Sequence, residues 1–223
     1  CTVGIISLLV KKVSEKPHKE LNLAVYISAA TTVITTGVLT YFTFNGEATI
    51  AVTSSHWGTH YGTASVILAG QDAFEIPGSM AYESSPHGEA VGCAACHMAK
   101  NEDRMDVGGH TFKMAAEDGY QNMNGCVACH ADAESFDLNG VQTEIAALIH
   151  DLDEILMEHK LIDDTGHAIP HASDAGIGRE WTSNEAGAVF NLLLTHYEGS
   201  HGVHNYKYTK ALLTNTIELA ESW

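Results

Sequence analysis

The chain has 223 residues, 45% of them apolar, enough for one domain with an appendage or for two small domains. Its 11 basic residues face 28 acidic ones, a net charge of −17. That balance makes nucleic acid and anionic membrane surfaces poor partners and favours cations and basic proteins.

Residues 1–52 are rich in Thr and Val and carry few charges beyond Lys11, Lys12, Glu15, Lys16, Lys19 and Glu20. The run Leu21–Phe44 has no charged residue and is long enough to span a bilayer, with its lysine-flanked start on the cytoplasmic side. Its β-branched and aromatic residues suit strands instead. Asn45-Gly46, between Leu39–Phe44 and Glu47–Val52, is a strong short hairpin signal, because both turn residues need positive φ. A β-rich N-terminal arm over 1–52 is therefore the expectation, with a membrane span over 21–44 as its competitor. An unpaired strand in such an arm would offer a docking edge to another chain. Cys1 suggests an acylated lipoprotein terminus, so membrane anchoring is expected through Cys1 or through residues 21–44; the competing reading gives Cys1 no role.

The region 53–140 is loop-rich and carries Cys93-Ala-Ala-Cys96-His97 and Cys126-Val-Ala-Cys129-His130. Cys-x-x-Cys-His is the attachment signature of c-type haem: the thiols form thioethers with the porphyrin and the adjoining histidine ligates the iron. Two copies using four of five cysteines predict two haem c groups, with Cys93, Cys96, Cys126 and Cys129 as attachment points and His97 and His130 as proximal ligands. Only Cys1 is left over, which excludes a structural disulfide within a fully loaded chain. Haem c is attached outside the cytoplasm, so an extracellular or cell-surface location is expected, with the periplasm as the alternative.

From Val141 the apolar positions Val141, Ile145, Leu148, Leu152, Ile155 and Leu156 form a helical stripe. His150 falls opposite it as a solvated residue, and His159 falls at its C-terminal end, where the helix dipole favours it. A second helix should start at Thr182, whose spacing to Glu185 is a capping box, and stop at Gly199. Asp163–Arg179 reads as a long loop. A final helix follows His204, with Tyr206, Leu213 and Ile217 on one side and Tyr208, Leu212 and Leu219 on another. A helix apolar on two sides is either buried or covered by another subunit. Trp57 and Trp181 read as packing residues.

A low-spin haem needs a second axial ligand, and twelve histidines besides His97 and His130 compete for two seats. Met105, Met114 and Met123 are outside candidates, as are His56, His167 and His171; Met98 is placed for packing. The run Ser85-Pro86-His87 … Cys93-Ala94-Ala95-Cys96-His97-Met98 resembles the Ser-x-His … Cys-x-x-Cys-His-Met pattern of multihaem cytochromes c. That family includes relatives of ammonia-forming nitrite reductases and the multihaem cytochromes of metal-respiring bacteria. His60-Tyr61-Gly62-Thr63-Ala64, Gly108-Gly109-His110-Thr111-Phe112, Phe136–Glu144 and Gly202-Val203-His204-Asn205 fit it as well, so that the resemblance covers residues 53–223. It implies a mainly α fold with long haem-wrapping loops and, as distal ligands, His110, His60, His204 and His87. The chain departs from its relatives in carrying two haem motifs where they usually carry four or more. Four family-type histidines then face two seats, and some are expected to act in trans, on the haem of a neighbouring subunit, as in extracellular cytochrome filaments.

The expected function is electron transfer by two haems ligated by histidine on both sides, with filament assembly as its elaboration. The partners expected are itself, as homopolymer or oligomer, and other redox proteins. The alternative is a respiratory-complex subunit or a reductase of nitrogen oxyanions. A reductase needs an open iron position and donors above it. The chain has one Arg before residue 140, Arg104, and lacks the Cys-x-x-Cys-Lys motif of the nitrite-reductase site, so no enzyme activity is expected. Zinc held by the cysteines and histidines is a third, remote reading.

Overall fold

Helix α4, Val141–Glu158, buries Ile145, Ile149, Leu152 and Leu156, one side of the stripe seen in the sequence. Its start is clasped from one turn upstream. Asp137 Oδ1 accepts from the Gln142 and Thr143 amides at 2.7 and 3.1 Å, and Asp137 Oδ2 accepts from the Thr143 hydroxyl at 2.6 Å. These bonds, led by the Thr143 hydroxyl, hold the Asp137 carboxyl below its ordinary range. The Phe136–Glu144 segment is therefore a helix start in this chain.

Helix α5, Ser183–Glu198, begins with the expected capping box and ends at Gly199 in the left-handed conformation. The Arg179 guanidinium adds two bonds to Glu185, at 2.8 and 2.6 Å. Burial pushes the Glu185 carboxyl up, but the Arg179 and Thr182 bonds together bring it below its ordinary value. Helix α6, Tyr206–Ala220, packs on both α4 and α5. Leu212 and Leu213, on different sides, are both fully buried, so the chain itself covers both faces.

The computed structural model describes residues 49–223 except residue 91, with backbone alone at 89 and 90. The expected strand pairing across Asn45-Gly46, the span over 21–44 and the role of Cys1 lie outside the described residues. No described helix is long and apolar enough to cross a membrane. The chain divides between residues 48 and 49, so residues 49–52, expected in the arm, fold with the body of the protein. Strand β1, Thr49–Ile50, pairs antiparallel with β2, Trp181–Thr182, in the register Thr49 to Thr182 and Ile50 to Trp181. Val52 is fully buried in the main core.

Three short helices precede α4: α1, Thr63–Ala69, α2, Pro86–Ala90, and α3, Cys93–His97. Helix α1 packs on α5. The main core joins Val52 and Trp181 to α4, α5 and α6, and a smaller cluster joins Ile67 and Ala73 to Leu194, Tyr208 and Leu212. Neither draws one of the described residues of 83–140. Yet this stretch is tightly braced by polar bonds: the fully buried Asn122 gives its amide to the Ala99 carbonyl at 2.9 Å and accepts from Asn101 at 3.4 Å. Among its described residues, this stretch is held by polar bonds rather than by an apolar core.

Candidate haem sites

The first Cys-x-x-Cys-His motif is a single helical turn and the second a hydrogen-bonded turn of the same i to i+4 kind. The first is α3 itself, and the second closes with the His130 amide on the Cys126 carbonyl at 2.8 Å. In a helical turn, positions i, i+3 and i+4 lie on one side, so each turn presents two thiols and an imidazole together. The two turns are pressed against each other. A Cβ on Gly125 would lie 2.9 Å from Cys96 Cα, so only glycine allows this approach. Burial, and next the neighbouring thiols Cys129 and Cys93, push the Cys96 thiol up; burial and then Cys96 do the same for Cys126. Cys96 thus sits within electrostatic reach of the other three sulfurs.

An imidazole nitrogen lies about 2 Å from the metal it ligates, so two imidazoles on opposite sides of one ion have ring centres roughly 6 Å apart. His97 and His204 have ring centres 6.1 Å apart with planes at 36°, and His130 and His87 stand 6.0 Å apart at 84°. Each motif histidine therefore has one other histidine at a ring separation that an iron between them would require.

The protons are placed for ligation too. His97 Nδ1 is 2.8 Å from the Phe112 carbonyl, His87 Nδ1 is 2.7 Å from the Val203 carbonyl, and His204 Nδ1 meets the Glu198 carboxylate. A carbonyl or carboxylate oxygen only accepts, so in all three rings Nδ1 carries the hydrogen and the Nε2 lone pair is left for metal. This orienting shell is what metal-ligating histidines need. Phe112, whose φ is 58°, also stacks on the His97 ring with centroids 4.5 Å apart. The Gly108–Phe112 segment thus supports His97, the candidate proximal ligand of the first motif.

One bracket holds both distal candidates. The fully buried Asn205 caps α6, accepts from the Ser85 amide at 2.7 Å and donates to Ser84 Oγ at 3.0 Å. Ser85 Oγ accepts in turn from the Lys207 amide at 3.1 Å. With the His87–Val203 bond, these join the Ser85-Pro86-His87 segment to Gly202-Val203-His204-Asn205. Glu198 is buried as well, accepting from the amide and hydroxyl of Ser200 at 3.0 and 2.9 Å while it holds His204. Sequence reasoning missed Glu198 and Asn205 as orienting residues. Their one signal was position: Asn205 adjoins His204, and Glu198 lies six residues before it.

Among the described residues, neither remaining candidate, His110 nor His60, has its ring paired with His97 or His130. His110 is exposed, with no ring or hydrogen-bond partner among the described residues. His60 Nε2 donates to the His56 carbonyl at 3.2 Å, and its ring meets Tyr197 at 4.8 Å. Among the described residues no three of His, Cys, Asp and Glu converge as a cage for a bare metal ion. His150 is exposed beside Glu154, His159 ends α4 against Trp223, and Trp57 packs edge-on against the buried Trp181 at 5.6 Å. No family model, curated protein or solved structure matches the chain.

Proposed function

We propose that this chain is an electron-transfer protein carrying two covalently attached haems, each between two of the chain's own histidines. The observation that carries the reading is the facing of each proximal histidine by one further imidazole at about 6 Å, His97 by His204 and His130 by His87. Haem iron ligated on both sides takes up and releases an electron without binding a substrate. The chain's residues do the rest. Cys93, Cys96, Cys126 and Cys129 supply the thioether sulfurs, and Phe112, Val203 and Glu198 keep Nδ1–H donated outward so that Nε2 faces inward.

With an imidazole of the same chain at the axial separation from each motif histidine, ligation within one chain accounts for both distal seats. The two-faced α6, covered by its own chain, also needs no second subunit. Both points favour a discrete carrier over a polymer joined by shared ligation. The test is expression with a c-type haem maturation system. The expected result is haem that stays on the polypeptide in a denaturing gel, two equivalents per chain, with a low-spin spectrum unmoved by carbon monoxide. A chain without covalent haem, or high-spin iron that takes up carbon monoxide, would sink the reading; filaments in electron micrographs would restore the polymer.

A further inference from the structure

A third pair of imidazoles stands in the same relation as the two axial pairs. His56 and His167 have ring centres 6.2 Å apart with planes at 83°, against 6.0 Å and 84° for His87 and His130. Both come from anchored turns. The His56 amide is held by Ser54 Oγ at 3.1 Å, and the Trp57 amide by the Ser54 carbonyl at 3.2 Å, with the Trp57 ring packed on Trp181. The His167 amide donates to Asp163 Oδ1 at 3.0 Å.

The tautomer of His167 follows from its neighbour. Thr165 Oγ1 lies 2.6 Å from Asp163 Oδ1 and 2.7 Å from His167 Nδ1. A hydroxyl has one proton, and the carboxylate can only accept it, so toward His167 the hydroxyl accepts. His167 Nδ1 therefore carries a hydrogen and its Nε2 lone pair is free, the state of His97, His87 and His204. His60, 6.4 Å from His56, spends its Nε2 hydrogen on the His56 carbonyl. Its ring meets that of Tyr197 at 4.8 Å, which puts one partly exposed aromatic ring beside the pair. The arrangement is a two-imidazole clamp, and no Cys-x-x-Cys pair lies in residues 53–60 or 160–171 to attach a porphyrin covalently.

We propose that His56 and His167 form a third axial pair, which binds an iron porphyrin without thioether attachment. The Tyr197 ring beside His60 supplies aromatic surface next to the pair. The inference rests on the reading of the two attached sites only for its standard of geometry.

The test uses the full chain with its attached haems and free hemin as the probe. The parent protein is expected to take up one further equivalent as a low-spin complex, which acidified butanone extracts while the covalent haems stay with the polypeptide. His56→Ala and His167→Ala should each weaken that uptake at least tenfold, and His150→Ala should not; an unchanged spectrum of the covalent haems reports that the variants fold. Hemin bound equally by parent and both variants, bound only in a high-spin form, or not bound at all overturns the proposal. Absence of covalent haem on the denaturing gel is a separate outcome: it ends the reading of the attached sites, while the hemin titration still decides this one.

Discussion

Which ring nitrogen of a histidine meets a metal is decided by what the other nitrogen touches, and here that contact differs between the two sites. His204 leans on a carboxylate, Glu198, whereas His87 leans on a neutral carbonyl, that of Val203. A carboxylate on Nδ1–H makes the imidazole a stronger donor and favours the oxidised iron. Glu198→Gln is therefore expected to raise the midpoint potential of one haem by roughly tens of millivolts and to leave the other in place; a redox titration that moves both or neither contradicts the assignment. The ligands separate in the same way. His204→Ala and His87→Ala should each turn half of the low-spin absorption high-spin. Because the ring planes cross at 36° in one pair and 84° in the other, electron paramagnetic resonance should lose a different low-spin signal in each variant, the more anisotropic one in His87→Ala.

At the scale of elements, helix starts and helix contacts set the pH response. Thr182→Ala removes the hydroxyl half of the α5 capping box and should cost about 1 kcal/mol in chemical denaturation. Glu185, held below its ordinary value of 4.5, contributes stability that is present above that value and is lost as pH falls through its lowered pKa. The cost of Glu185→Gln should accordingly shrink toward acid pH. Asp153 on α4 has the opposite sign. Its Oδ1 is buried without a hydrogen-bond partner, and burial raises its pKa against the lowering by His196 and His150. It favours folding below its ordinary value of 3.8, and that contribution is lost as pH rises through the raised pKa. Asp153→Asn should therefore gain about 1 kcal/mol at neutral pH, after allowance for its half-exposed position, and nothing in strong acid. Melting curves at several pH values distinguish the two signs.

For the whole molecule, stability is divided unevenly along the chain. The helices α4, α5 and α6 share a continuous apolar core, and the described residues of 83–140 contribute nothing to it. A chain made without haem should keep the three-helix body folded and exchange its amides quickly through 93–140, and loading should protect that stretch; hydrogen exchange on both forms measures the contrast. The Asn205 bracket couples the two haem sites across this boundary, and Asn205→Ala should disturb the low-spin spectrum of both haems at once.

What could be read in the chain alone was what chemistry writes into contiguous residues. Thioether attachment needs two thiols and an imidazole on one helical turn, so Cys93–His97 and Cys126–His130 are legible by spacing. Helical periodicity and a local cap made α4 and α5 equally plain. Distal ligation has no such spacing, because an imidazole approaches an iron from the opposite side and from any distance along the chain. Only the fold brought His204 to His97 and His87 to His130, through Asn205, Glu198 and the Val203 carbonyl. The fold also left His110 exposed and set His56 against His167. The short strand at Thr49–Ile50 shows the same limit: its partner is Trp181–Thr182, a long-range pairing that a local hairpin signal does not encode.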